Sequence, residues 1–318
     1  MNKPGKMAEQ QHIETSPEGG YHIPVLLHET VEQLQIKPDG VYVDCTFGGG
    51  GHSSELLKQL GPKGRLIVFD QDADARRNAP DDKRLLFVPQ NFRHVHRFLR
   101  LHEVSKVDGL MADLGVSSHQ FDEAARGFSF RFDAPLDMRM DQRESLTAAK
   151  LLQQLTETEL HKMFEWYGEV TNARTLAKLI VEKRGLSGLQ SIQDLKNLLQ
   201  PIVKGNPQKY FAQVFQALRI KVNDELGALE DLLQQLPEVL KPGGRAAFIT
   251  FHSLEDRLVK QYFKAGTFQV EEDAHDLFGT KKQSPFELVN KKPILPTADE
   301  MKKNSRSRSA KLRVAMLK

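Results

Sequence analysis

Disulfide chemistry is missing from this chain: its one cysteine, Cys45, excludes an internal disulfide framework and fits a reducing compartment. Long apolar runs are missing too. No stretch approaches 18 apolar residues, and the polar first 20 residues lack the apolar core of a signal peptide. The chain is therefore expected to be cytoplasmic with no membrane partner, and segment 1–20 to be a disordered tail. Nor is there an excess of one charge, since 45 basic and 42 acidic residues leave a balance of +3. The asymmetry lies at the end, where residues 301–318 hold seven Lys or Arg and no acid. Such a segment suits phosphate, or simply solvent. The G-K-[ST] signature of phosphate loops and the spaced dehydrogenase fingerprint are both absent. No metal site is expected.

What is present is VYVDCTFGGGGHSSELLKQL, residues 41–60. A β-branched apolar run ends at Asp44, four contiguous glycines follow from Gly48 to Gly51, and a helical pattern begins at once. A Cβ in such a turn would block close backbone approach and positive φ angles. Asp70 ends the next apolar run, 26 residues after Asp44, where a carboxylate accepts from ribose hydroxyls. Together these features point to a nucleoside-containing cofactor at the top of a parallel sheet. Asp44, Gly48, Gly50 and Gly51 are its expected cradle. His52 is placed to hydrogen-bond a cofactor carboxylate, or else to serve the helix start.

Apolar runs recur at 41–47, 64–70, 84–90, 107–115 and 244–251, several of them separated by helical patterns. That rhythm reads as βαβ units, an α/β sheet wound on both faces. Extended stretches at 286–295 and 310–317 are expected to close it as an antiparallel pair. Between the fourth and fifth strands, residues 136–207 are helical in pattern, with Thr156 and Ser191 at N-cap positions. This is too long for a crossover and reads as an inserted all-α domain.

Asp113 ends the fourth run, where open α/β sheets place reacting groups. Gly115, Ser117 and Ser118 follow in a tight turn, and Gln120 and Phe92 are placed to flank an adenine. In RGFSFRFDAPLDMRMD (126–141), Phe128 and Phe130 alternate with polar residues beside Arg139. The pattern fits base stacking with phosphate contact, and equally a half-buried strand. Arg219 and Asn223 share a helix face. His252, Ser253 and Arg257 form an unusually polar strand exit at the rim that holds Asp113.

The ordered set HIPVLLHE, DCTFGGGGHS, DLGVSSHQ, RGFSFRFDAPLDMRMD, FQALRIKVNDEL, KPGGR, FHSLEDR and SRSAKLR resembles the RsmH family, also called MraW. These are ribosomal RNA cytosine-N4 methyltransferases of the small-subunit (16S) RNA. The resemblance runs from about Tyr21 to the end. It implies a Rossmann-like class I methyltransferase sheet, built from 21–135 and 208–318, with 136–207 as a substrate-recognition domain. It implies S-adenosyl-L-methionine as cofactor, held by Gly50, Gly51, His52, Asp70, Phe92, Asp113 and Gln120. The RNA side falls to Phe128, Phe130, Arg139, Arg219, Asn223, His252, Ser253 and Arg257. Val170 departs from the family pattern, where a second glutamate is usual. The implied reaction is displacement at the sulfonium methyl by cytosine N4, with Asp113, Ser117 and Ser118 orienting the amine and accepting its hydrogens. No cysteine nucleophile is required. A dinucleotide oxidoreductase and a non-enzymatic ribosome-associated factor remain the rival readings of the residues alone.

Overall fold

The computed structural model describes residues 24–268 and 283–318; the tail expected at 1–20 lies outside them. Seven strands form one sheet in the order β3-β2-β1-β4-β5-β7-β6. They are β1 (Val41–Asp44), β2 (Arg65–Phe69), β3 (Leu85–Val88), β4 (Val107–Asp113), β5 (Leu240–Thr250), β6 (Phe286–Leu288) and β7 (Lys311–Leu317). The first five run parallel, whereas β7 lies antiparallel to both β5 and β6. The expected closing pair is therefore present, and Ile294 extends it by one bridge to Leu312.

Sheet burial explains the composition of the strands. Helices cover both faces, so β1, β2 and β4 read as nearly continuous apolar runs instead of alternating ones. One apolar cluster joins Val43, Ile67, Leu110 and Phe248 to α10 (Glu225–Val239) and α11 (Ser253–Ala265). Another joins Tyr42, Leu66, Met111 and Ile249 to α1 (Leu27–Leu34) and α2 (Gly51–Gln59).

The chain builds outward from β1 through β2 to β3, then crosses back to lay β4 on the other side of β1. That reversal is a topological switch point, and the crevice beyond the carboxyl ends of β1 and β4 is where such sheets bind ligands. Asp44 and Asp113 end those two strands.

Four helices fill the expected insertion: α5 (Ala148–Gln154), α6 (Glu157–Gly168), α7 (Ala173–Ser187) and α8 (Ile192–Leu199). Thr156 and Ser191 cap α6 and α8 in reciprocal boxes with Glu159 and Asp194. The apolar cluster of this layer crosses both expected limits, however. It begins at Phe128 and continues to Leu218 on α9 (Pro207–Asn223), because α9 presents Phe211, Val214, Phe215 and Leu218 to α6 and its neighbours. Val170, buried in that cluster, sits where a glutamate would be without water. The remaining named helices are α3 (Val95–Leu101), α4 (Ser118–Asp122) and α12 (Ala298–Lys303).

Only the last part of the basic end is a sheet strand; Lys302, Lys303 and Arg308, in α12 and the short turn after it, stay exposed. Lys311 and Arg313 both pair with Asp256 on α11, at 3.3 and 2.6 Å, and Arg306 pairs with Asp122.

Candidate active site

A cleft of about 600 Å³ opens at the switch point. Its lining includes Gly48, Gly49, Gly51, His52, Asp70, Phe92, Asp113, Ser117, Ser118, Gln120 and Asn223. Ten of the residues expected at a site thus meet in one place, joined by Gly49.

The glycine loop holds its shape through two strand-end carboxylates. Asp70 accepts from Gly48 N and Asp72 N, each at 2.8 Å, and burial lifts its pKa to about 6. Asp44 behaves differently from expectation. It lies wholly inside, accepting from Ser53 Oγ at 2.7 Å and Thr46 N at 3.0 Å, and it does not line the cleft. A buried carboxylate without partners is costly, and these local donors offset that cost. Gly50 is also displaced from its expected role. It caps α2 at φ 75° with its N–H on Phe47 O, while a Cβ there would meet the Phe47 ring at 2.8 Å. It shapes the turn without facing the ligand.

His52 carries a correction of chemistry. Its Nε2 is 3.1 Å from Val25 O, which requires the proton on Nε2. Desolvation lowers its pKa to about 4, so the ring is neutral and Nδ1 is an acceptor, 3.8 Å from Asp113 Oδ2. Such a ring has no N–H left to give a cofactor carboxylate.

Asp113 stands at the far side of the loop. Its N–H donates to Thr46 Oγ1 at 2.6 Å, whereas its buried Oδ1 has no partner among the described residues. Burial, with Asp44 and Glu255 nearby, holds its pKa well above the usual carboxylate range. Ser117 caps α4 in a reciprocal box with Gln120, and Gln120 donates onward to Asp72 Oδ2 at 2.8 Å. Ser118 borders the cleft in the first turn of α4.

The residues expected to meet RNA are mostly engaged within the fold. Phe128 is buried in the helical cluster and is no stacking platform, and Phe130, half-buried, packs on Phe211 and Phe215. Phe132 is the exposed ring of that series, at 57%. Arg139 is bound to Asp137 and to the carbonyls of Gln142 and Glu144. Arg219 makes a two-pronged pair with Glu225 at 2.8 and 2.9 Å. Asn223 lines the cleft, but its amide ties down Met138 O and Met140 N. His252 caps α11, and Ser253 donates to Glu169 Oε1 at 3.2 Å. Ser253 and Arg257 are the exposed members of this set, and Arg257 has no bond to its guanidinium among the described residues.

Several lining residues escaped the sequence reading. Asn78 donates to Gly48 O at 2.9 Å, Asn91 donates to Gln71 at 2.9 Å, and Glu225 and Glu255 form the far wall. Glu225, His252 and Glu255 bring their polar atoms within 4.8 Å of one another. Arg219 already supplies the compensating cation there, on both oxygens of Glu225.

An antiparallel last strand inserted beside β5, with a glycine cradle after β1, defines a Rossmann-like class I methyltransferase. The comparisons narrow the class. The model of the MraW methylase family matches residues 20–318. Ribosomal RNA small subunit methyltransferase H of Parabacteroides distasonis is 52% identical over 93% of this chain and 97% of its own. The protein of the same name from Bacteroides fragilis is 51% identical, and that from Christiangramia forsetii 50%, over the same shares. The chain belongs to the MraW methylase family and is an S-adenosylmethionine-dependent methyltransferase.

Proposed function

We propose that the protein methylates the exocyclic N4 of a cytidine in the 16S RNA of the small ribosomal subunit, in the cytoplasm. One observation carries the reading: Asp113, its side chain 24% exposed, lines the same cleft as the glycine cradle, and its buried Oδ1 has no partner among the described residues. A carboxyl group at that place can accept from the N–H of an incoming amine. The RNA is that of the relatives, ribosomal RNA small subunit methyltransferases.

The cleft fits the cofactor by its donor set. Gly48, Gly49 and Gly51 leave backbone room, Asp70 is placed for ribose hydroxyls, and Phe92 and Gln120 border the remaining wall. S-adenosylmethionine supplies an electrophilic methyl carbon on a sulfonium. His52 contributes an acceptor, not a charge. Asp113, with Ser117 and Ser118 on the following turn, orients the incoming amine, whose lone pair must leave conjugation with the pyrimidine ring. Alignment of this kind supplies much of a bimolecular barrier. The target base has to leave its stack to enter, and Arg257 and Phe132 are exposed where Phe128 and Phe130 are not. The helical layer built around α6 and α9 is the RNA-facing module.

Asp113→Ala provides the test. The variant is expected to retain RNA binding and to give no labelled RNA with methyl-tritiated cofactor. Undiminished labelling would remove Asp113 from the reaction.

A further inference from the structure

We propose that Glu255 is the group that receives the proton shed by the target amine on methylation; this rests on the cytidine-N4 reading above. Glu255 occupies the third position of α11, just past the end of β5, and β5 pairs with β4 so that Ile249 is opposite Asp113. Both carboxylates line the one cleft.

Helix capping does not account for the way Glu255 is kept. Four helices carry a reciprocal box: one with the neutral amide of Gln120 at Ser117, and three with a carboxylate, at Thr156 with Glu159, Ser191 with Asp194 and His252 with Glu255. Glu159 is exposed and Asp194 half-buried, as a cap permits, whereas Glu255 is 2% exposed against a ligand-sized cleft. Its Oε2 accepts from Phe251 N at 2.8 Å and His252 N at 3.3 Å. Its Oε1 lies 3.1 Å from His252 Nε2. His252 Nδ1 accepts from Glu255 N, so the ring proton belongs on Nε2, facing the carboxylate. Arg219 adds its field from behind while bonding to Glu225 instead.

The groups around Glu255 therefore favour its charged form: His252, Arg219 and the Phe251 N–H outweigh burial and hold its pKa below the usual glutamate value. Asp113 is pushed the other way. Two carboxyl groups driven apart by their surroundings divide the work, one orienting and one accepting a proton. As the N4 lone pair forms the N–CH3 bond, the C–S bond breaks and its electron pair stays on sulfur as a neutral thioether. N4 then carries a positive charge, gives one N–H proton to the Glu255 carboxylate and becomes neutral. The resulting carboxylic acid returns its proton to solvent on product release.

Glu255→Gln keeps the cap's acceptor and removes the base. At saturating cofactor, single-turnover methylation of small-subunit RNA is expected to fall on the order of 100-fold or more. S-adenosylhomocysteine affinity by calorimetry and RNA affinity by filter binding should hold within about twofold. Glu255→Asp, which retains a carboxylate, should run at least about tenfold faster than the Gln variant. Equal rates in the two variants, a Gln variant as fast as the parent, or loss of ligand binding and melting temperature in both would each overturn the assignment. The parent protein run in parallel separates the two readings. If it forms no N4-methylcytidine, the substrate is wrong; if it and the Gln variant form it equally, only Glu255 is.

Discussion

Single side chains decide what this cleft can bind, and Asp70 is the one whose charge is within reach of mild acid. Its pKa stands at about 6, raised by burial from 3.8. An ionised carboxylate accepts ribose hydroxyls better than a protonated one, so ligand affinity holds above that pH and weakens below it, by up to about tenfold per unit. Calorimetry with S-adenosylhomocysteine from pH 7.5 to 5 should show this fall. Asp70→Asn should bind more weakly at pH 7.5 and lose that component of the slope. For folding the sign is opposite. The folded state takes up this proton earlier than the unfolded chain, so the residue's contribution to stability grows as pH falls from about 6 towards 4. Asp70 and Asp113 were legible in the sequence because each ends an apolar run, and strand ends converge on the switch point. Phe128 and Phe130 were not: alternation reads alike whether rings meet bases or Phe211 and Phe215, some 80 residues on. The buried pair of Arg126 with Asp72, 54 residues apart, left no local signal either. Asp44 shows the converse, a correctly located carboxylate whose partners, Thr46 and Ser53, turn it inward.

At the scale of elements, local chemistry was the reliable guide. N-caps act within one turn, so Thr156 and Ser191 could be placed from their own neighbours. Helix partners cannot be read this way, which is why the layer's core extends through α9 and back to Phe128. The glycine turn contains a second close approach that composition alone does not reveal. A Cβ on Gly51 would come within 2.1 Å of Pro24 Cγ, in the segment leading into α1. Gly51→Ala must push that segment off the cleft wall. Overpacking of this sort costs about 1–3 kcal/mol, and thermal denaturation should register it as a lower melting temperature. Because Pro24 and Val25 line the cleft and Val25 O holds His52, S-adenosylhomocysteine affinity should fall about tenfold with it. Unchanged melting and affinity would show that Pro24 moves aside without consequence.

Across the whole molecule, the helical layer meets the sheet's rim through specific ties. Ser253 of α11 bonds Glu169 at the end of α6, and Asn223 straps residues 138 to 140 across the cleft's edge. The layer that borders the opening is thus fixed to the strands that carry Asp113 and Glu255. The basic terminal strand, by contrast, serves the sheet, its Lys311 and Arg313 sharing the one carboxylate of Asp256. Cofactor and pyrimidine meeting in one crevice is the claim on which the rest stands. Nucleoside mass spectrometry of small-subunit RNA, digested after incubation with protein and S-adenosylmethionine, tests it most directly. N4-methylcytidine appearing only with active protein is the expected result; unmodified cytidine, or a methyl group on carbon 5 or on another base, would contradict it.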